Sequence, residues 1–300
     1  MTSNKLILVS GAPRSATTPV GNMLATARGT VSLYEPLGIT GLQRINVRFP
    51  MTIASDGLTT DGLKQIANDL GHKRSGGLRK QQRMGGFSMK RAVFGTRTLH
   101  SFRMARLQPW ARNVIWKDPH AIMLVPDVVE LGIDVIVTVR RALAHAASYQ
   151  RLGWVSQASS VYPRWAERFG PCEICENAIP EAEDTIISAA LLWRMSYLPL
   201  LRTGAIDKVS LVTSDRLMES ERETYEALFN KLGLEPSSKT EAELSKQKSD
   251  TRSRPKGKVT HDWGRSVKAV NSYWSEVLSE EQIERVKELT ADVEDGLFRA

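Results

Sequence analysis

Short apolar runs separated by glycine, proline and charged breaks recur along this chain, and their order predicts an open parallel α/β sheet. The first run, Leu6-Ile7-Leu8-Val9, is too short for a helix and apolar at every position, as a strand covered on both faces must be. Gly11 and Pro13 end it. Thr17 to Arg28 then reads as a helix closed by Gly29, and Thr30 to Tyr34 as a second strand. Strand, turn, helix and strand in that order open a parallel sheet. Asn113 to Lys117 is a third strand, and Ala121 to Leu131 a helix. The clearest buried strand follows at Ile133 to Val139; it ends in Arg140-Arg141 and leads into a helical stretch from Ala142 to Arg151.

Downstream, Thr185 to Arg202 predicts a helix stopped by Gly204, Val209 to Thr213 a strand, and Arg222 to Leu232 a helix closed by Gly233. The last helix starts at Ser279, with Gln282 as its capping-box partner, and ends near Gly296. Three stretches break the pattern. Gly38 to Arg112 is irregular, Gly153 to Glu183 reads as loop-rich around Gly170, Pro171 and Pro180, and Lys239 to Thr260 reads as an exposed charged linker. No internal repeat is present. The expectation is one domain over residues 1–300, a three-layer α/β fold with a central, mostly parallel sheet flanked by helices, carrying insertions at about 38–112 and 153–184.

Composition changes this picture little; charge changes it more. At 300 residues, 41% hydrophobic and 25% charged, the chain can bury a substantial core. It holds no apolar run long enough to span a bilayer and no secretory leader, so a cytoplasmic location is expected. The net charge of +8 is concentrated: twelve Lys and Arg lie between Lys64 and Arg112 against the single acid Asp69, and the remainder is slightly acidic. Such a field attracts an anionic partner, and it equally describes a solvated basic surface. Few aromatics interleave these cations, so nucleic acid is not expected as a partner. Cys172 and Cys175 have C-x-x-C spacing without two further zinc ligands nearby, which leaves a redox pair or two incidental thiols.

The candidate chemistry begins at Ser10-Gly11-Ala12-Pro13-Arg14-Ser15-Ala16-Thr17-Thr18, between a strand and a helix. Unpaired N–H groups at a helix start, with the helix dipole behind them, cradle an anion. The hydroxyls of Ser15, Thr17 and Thr18 add donors. A nucleotide kinase would place Gly and Lys where this chain has Ala16 and Thr17, and would hold magnesium with an acid where this chain has Arg140. The cation here is Arg14, inside the loop. A metal-dependent P-loop kinase is thereby disfavoured, and no metal is expected. A non-enzymatic polyanion binder remains a second alternative.

Pro13-Arg14-Ser15-x-Thr17-Thr18 resembles the 5′-phosphosulfate loop of the sulfotransferases that use 3′-phosphoadenosine 5′-phosphosulfate (PAPS). The family's usual glycine is Ala16 here, a substitution compatible with close phosphate approach as long as its φ stays negative. Arg140, with Ser148 eight residues on, is similar to the family's Arg and Ser that hold the 3′-phosphate, although the usual Asp-Pro is Arg141-Ala142. Arginine suits phosphate because its planar fork binds bidentately. Arg254, Lys256 and Gly257 before His261-Asp262-Trp263 resemble the loop that folds over the nucleotide, with the spacing displaced by one; an exposed linker fits them as well.

The resemblance implies PAPS as donor, PAP as product and a hydroxyl-bearing or amine acceptor. It implies Glu35, in Leu33-Tyr34-Glu35-Pro36, as the base that deprotonates that acceptor. It implies Lys117, in Trp116-Lys117-Asp118-Pro119, as the cation on the leaving oxygen, with Arg14 sharing the sulfonate. His120 is the rival base. An ordinary solvated Glu and a structural His are the plainer readings of Glu35 and His120. The basic stretch 38–112 falls where acceptor specificity resides in such enzymes, and its cations suit an anionic carbohydrate or lipid.

Overall fold

The computed structural model describes residues 4–79, 96–245 and 272–299. Five strands form one sheet: β1 (Lys5–Ser10), β2 (Thr30–Tyr34), β3 (Asn113–Lys117), β4 (Asp134–Val139) and β5 (Ser210–Thr213), in the order β2-β3-β1-β4-β5. Every pairing is parallel. The central strand β1 is covered on both faces, which explains its unbroken apolar run. Leu8 packs with Val114, Trp116 and Val137 into the larger core. Ile7 and Val9 point the other way, against Val20, Leu24, Ile136 and Phe229. The α/β class and parallel sheet expected from the apolar pattern are those of the structure.

All five strands lie within one residue of the positions the pattern predicts; the helices differ more. The first helix, Thr17–Leu24, stops short of Arg28. The hydroxyl of Thr26 takes the Met23 carbonyl at 2.6 Å and so competes with the next helical turn. Residues 119–130 form a 3₁₀ turn, Pro119–Leu124, before the α-helix Val125–Glu130, because Pro126 has no N–H to continue an α ladder. The stretch from Gly153 to Glu183 is largely helical, with Ala158–Phe169 and Glu173–Ala178. Ala158, Val161, Tyr162 and Trp165 make a buried stripe at helical spacing, and Gly170 and Pro171 merely separate the two helices.

Within the irregular basic stretch lie the helices Thr60–Gly71 and Arg97–Arg106, capped by Thr59 and Thr96. A further helix, Ser238–Leu244, occupies the start of the expected linker. Ser279 and Gln282 form the capping box, with bonds of 3.0 and 3.2 Å, and the helix Glu280–Arg299 runs past Gly296. That glycine is a packing residue: a Cβ there would fall 2.7 Å from Leu201 Cδ1 on the long helix Thr185–Arg202. Among the described residues no helix is long and apolar enough to cross a membrane.

Candidate functional site

The strand order reverses around β1, and in open α/β sheets ligands sit beyond the carboxyl ends of the strands at such a point. Arg14, Ser15, Ala16, Thr17, Thr18, Glu35, Lys117, His120, Arg140 and Ser148 all lie at those ends, just beyond them or in the elements that follow. Gly11 makes the turn out of β1 possible, since a Cβ there would fall 2.3 Å from the Thr138 carbonyl of β4. Ala16 caps the first helix with φ of 68°, in the left-handed region, so the negative φ expected for it is not what the loop uses. Its side chain makes no capping bond, which leaves the first amides of that helix open to a ligand. Arg14 and Glu35 also have positive φ, 75° and 45°. Strained backbone is thus gathered around this crevice, as it is at many functional sites.

One cluster forms at the ends of β2 and β3. The Lys117 ammonium donates to Glu35 Oε1 at 2.8 Å and to Thr18 Oγ1 at 3.2 Å, and it lies 3.6 Å from the centre of the Tyr34 ring. Lys117 is 1% exposed, and burial pulls its pKa below the ordinary lysine value, a shift that Glu35 partly opposes. Burial, then the Glu35 charge, pushes the Tyr34 hydroxyl up. Gly21, unremarked in the sequence, creates this geometry. A Cβ at that position would sit 2.6 Å from Lys117 Cγ, so the lysine stem passes beneath the first helix only because residue 21 has no side chain.

The second cluster lies at the end of β4. Arg14 Nε donates to Ser148 Oγ at 3.2 Å. Arg140 is 4% exposed, and its guanidinium carbon lies 5.9 Å from the centre of the Tyr273 ring. Arg14, expected to share the sulfonate with Lys117, makes its side-chain hydrogen bond to Ser148. Burial, then the charge of Arg151, lowers its pKa. His145, also unremarked in the sequence, donates from Nε2 to the Pro13 carbonyl at 2.9 Å, which selects the Nε2–H tautomer. Burial, then Arg140, pushes its pKa down to about 3, so the ring is neutral at physiological pH.

The long helix Thr185–Arg202 ties the loop after β1 to the end of β4. Tyr197 Oη accepts from Ala12 N at 3.0 Å and donates to the Thr138 carbonyl at 2.8 Å, while Trp193 Nε1 donates to the Arg140 carbonyl at 2.8 Å. His120 Nδ1 lies 3.3 Å from Asp118 Oδ1, and its ring 5.3 Å from that of Phe49. Arg254, Lys256 and Gly257 lie outside the described residues. Cys172 and Cys175 are free, buried thiols, with Arg194 Nε 3.3 Å from Cys172 Sγ. The Cys175 hydrogen bond, then Arg194, pushes Cys172 down, and the same pairing pushes Cys175 up. No three metal-ligating side chains converge among the described residues.

No family model matches the chain, and no curated protein does. Among solved structures, the chain is similar to the sulfotransferase domain from the Synechococcus PCC 7002 olefin synthase, at 15% identity and TM-score 0.43, over 94% of this chain and 93% of that one. It is similar also to the sulfotransferase domain from the curacin biosynthetic pathway, at 13% identity and TM-score 0.45, over 97% and 98% of the two chains. At these scores neither likeness bears on activity; the side chains at the strand ends do.

Proposed function

We propose that this chain is a sulfotransferase that moves the sulfuryl group of PAPS onto a hydroxyl of its acceptor by in-line displacement. The observation that carries the reading is the pairing of Lys117 with both Glu35 and Thr18 in front of an open helix start, with the Arg14–Ser148 contact and buried Arg140 on the other side. A donor with phosphate at one end and phosphosulfate at the other calls for two cationic groups flanking one anion cradle. Arg140, Ser148 and Arg14 take the 3′-phosphate in this reading. The loop amides, with the hydroxyls of Thr17 and Thr18, take the 5′-phosphosulfate. Arg254, Lys256 and Gly257 are further candidates to contact the nucleotide.

The transition state of such a transfer is loose and spreads negative charge over the equatorial oxygens, so positioning and fixed cations supply most of the acceleration. Glu35 takes the acceptor proton as the acceptor O–S bond forms. Lys117, already within reach of both Glu35 and the loop hydroxyl of Thr18, neutralises charge on the phosphate oxygen as its bond to sulfur breaks. The proton ends on Glu35, and PAP leaves as the anion. Burial of Lys117 makes its charge more effective, because little water screens it.

Calorimetric titration with PAP in the absence of divalent metal tests the donor, and Arg140→Ala should weaken that binding. Labelled PAPS offered with a panel of acidic glycans, lipids and alcohols tests transfer. Glu35→Gln should abolish transfer and leave PAP binding intact; full activity in that variant would transfer the base role to His120. Metal-dependent hydrolysis of ATP in place of PAP binding would favour a kinase.

A further inference from the structure

We infer that the helix Arg97–Arg106 and the turn after it form a docking surface for an anionic lipid bilayer. The inference does not rest on the sulfotransferase reading. One face of this helix is already packed: Thr98, Phe102 and Ala105 are buried, and Ser101 Oγ accepts from the Tyr34 N–H at 2.9 Å, which lays the helix along the edge strand β2. With successive side chains turned by about 100°, His100, Arg103, Met104 and Leu107 fall on the opposite side, and all four are exposed. An outward face is ordinarily polar. Here it carries Met104 and Leu107 one turn apart, and Trp110 follows in the turn. Leu107 and Trp110, at 68% and 66%, are the two most exposed large hydrophobic side chains among the described residues.

Their exposure is fixed by hydrogen bonds rather than left to a fraying helix end. Buried Lys73 donates from Nζ to the carbonyls of Gln108 and Ala111 at 2.7 and 2.8 Å. Gln108 Nε2 donates to the Met104 carbonyl at 3.4 Å, and Arg106 Nε to the Lys73 carbonyl at 3.1 Å. Ala111, next to Trp110, is fully buried. The turn is thus pinned on both sides of the residues that face solvent. Its charges are all of one sign. Arg97, Arg103, Arg106 and Arg112 are exposed, and no acid occurs from residue 97 to residue 112. Asp69, the single acid between Lys64 and Arg112, is paired with Arg44 at 2.8 Å.

Cations around a crest of Met, Leu and Trp match the two layers of a membrane interface. Guanidinium groups meet anionic headgroups, while the apolar side chains and the indole settle at the boundary with the acyl chains. A second copy of this chain fits less well, because a twofold pairing of this face sets arginine against arginine. A nucleic acid would engage the arginines and leave Met104 and Leu107 without a partner.

Co-sedimentation of the full chain with vesicles tests this surface. One set is phosphatidylcholine mixed with phosphatidylserine, the other phosphatidylcholine alone. The chain should partition onto the mixed vesicles, less so as salt rises, and stay off the neutral ones. Leu107→Ser and Trp110→Ser should each weaken that partition by about tenfold, and Arg103→Gln by about fivefold. All three side chains are exposed, so the unfolding midpoint of each variant should match the wild type. Equal binding to neutral vesicles, no binding at low salt, or undiminished binding by the doubly substituted Leu107→Ser, Trp110→Ser chain overturns the proposal. So does a dimer that Trp110→Ser disperses in the absence of vesicle binding, which assigns the face to a second copy. Capture of a DNA duplex with no partition onto vesicles overturns it likewise.

Discussion

Three residues at the crevice, Arg14, Ala16 and Glu35, hold φ angles that side chains disfavour. For Ala16 the cost is about 1 kcal/mol, since an L-residue in the left-handed region crowds its Cβ against the backbone. Ala16→Gly should therefore raise the midpoint of thermal unfolding by about 2 °C, measured by scanning calorimetry; an unchanged or lower midpoint would show the loop to be relaxed. His145 makes a pH prediction. Its folded pKa of about 3 lies below the ordinary value of 6.5, so the unfolded chain binds the extra proton between those limits. Its contribution is complete above pH 6.5 and is lost as the pH falls towards 3. Between pH 7 and pH 5 this one group should cost about 2 kcal/mol of unfolding free energy. Urea titrations at both values should show that loss in the wild type and a smaller one in His145→Gln. Glu35, Lys117, Arg140 and Ser148 were legible as candidates through the resemblance of the motifs around them to those of the sulfotransferases. Gly21, His145 and Tyr197 were not, because what matters about each is a contact far away in the chain: Lys117, Pro13 and Thr138.

Among the elements, the helix Thr185–Arg202 has the widest role. It reads in the sequence as a helix stopped by Gly204, yet Tyr197 joins the loop after β1 to β4 through one hydroxyl. Tyr197→Phe keeps the ring and removes both bonds. It leaves the Ala12 N–H and the Thr138 carbonyl buried without this partner, at a cost of about 1–3 kcal/mol. Chemical denaturation should show that loss, accompanied by weaker PAP binding; unchanged binding would mean the loop keeps its shape without the tether. Strands were easier to read than helices here. A strand buried on both faces is a short apolar block with little else it can be, whereas the stripe of Ala158, Val161, Tyr162 and Trp165 is interrupted by polar residues and flanked by Gly170 and Pro171. The polar breakers mark where helices end as readily as where loops lie, and only packing against the core distinguishes the two.

At the scale of the molecule, the clusters on either side of the first helix should couple donor binding to stability. A ligand at about 100 times its dissociation constant adds about 2.7 kcal/mol, which for a chain of this size raises the unfolding midpoint by about 5 °C. PAP without metal should produce that shift in a thermal scan, and ATP with magnesium should not; the reverse result would favour nucleotide kinase chemistry. The amino-acid order alone determined the α/β class, the five strands, the open helix start after β1 and the cationic strand ends, because each is a local matter of periodicity or of one residue type beside another. Tertiary structure decided that Arg14 stands with Ser148 and that Lys117 reaches Glu35 beneath Gly21. Those pairings join residues dozens of positions apart, and their geometry exists only once the sheet brings the carboxyl ends of its strands together.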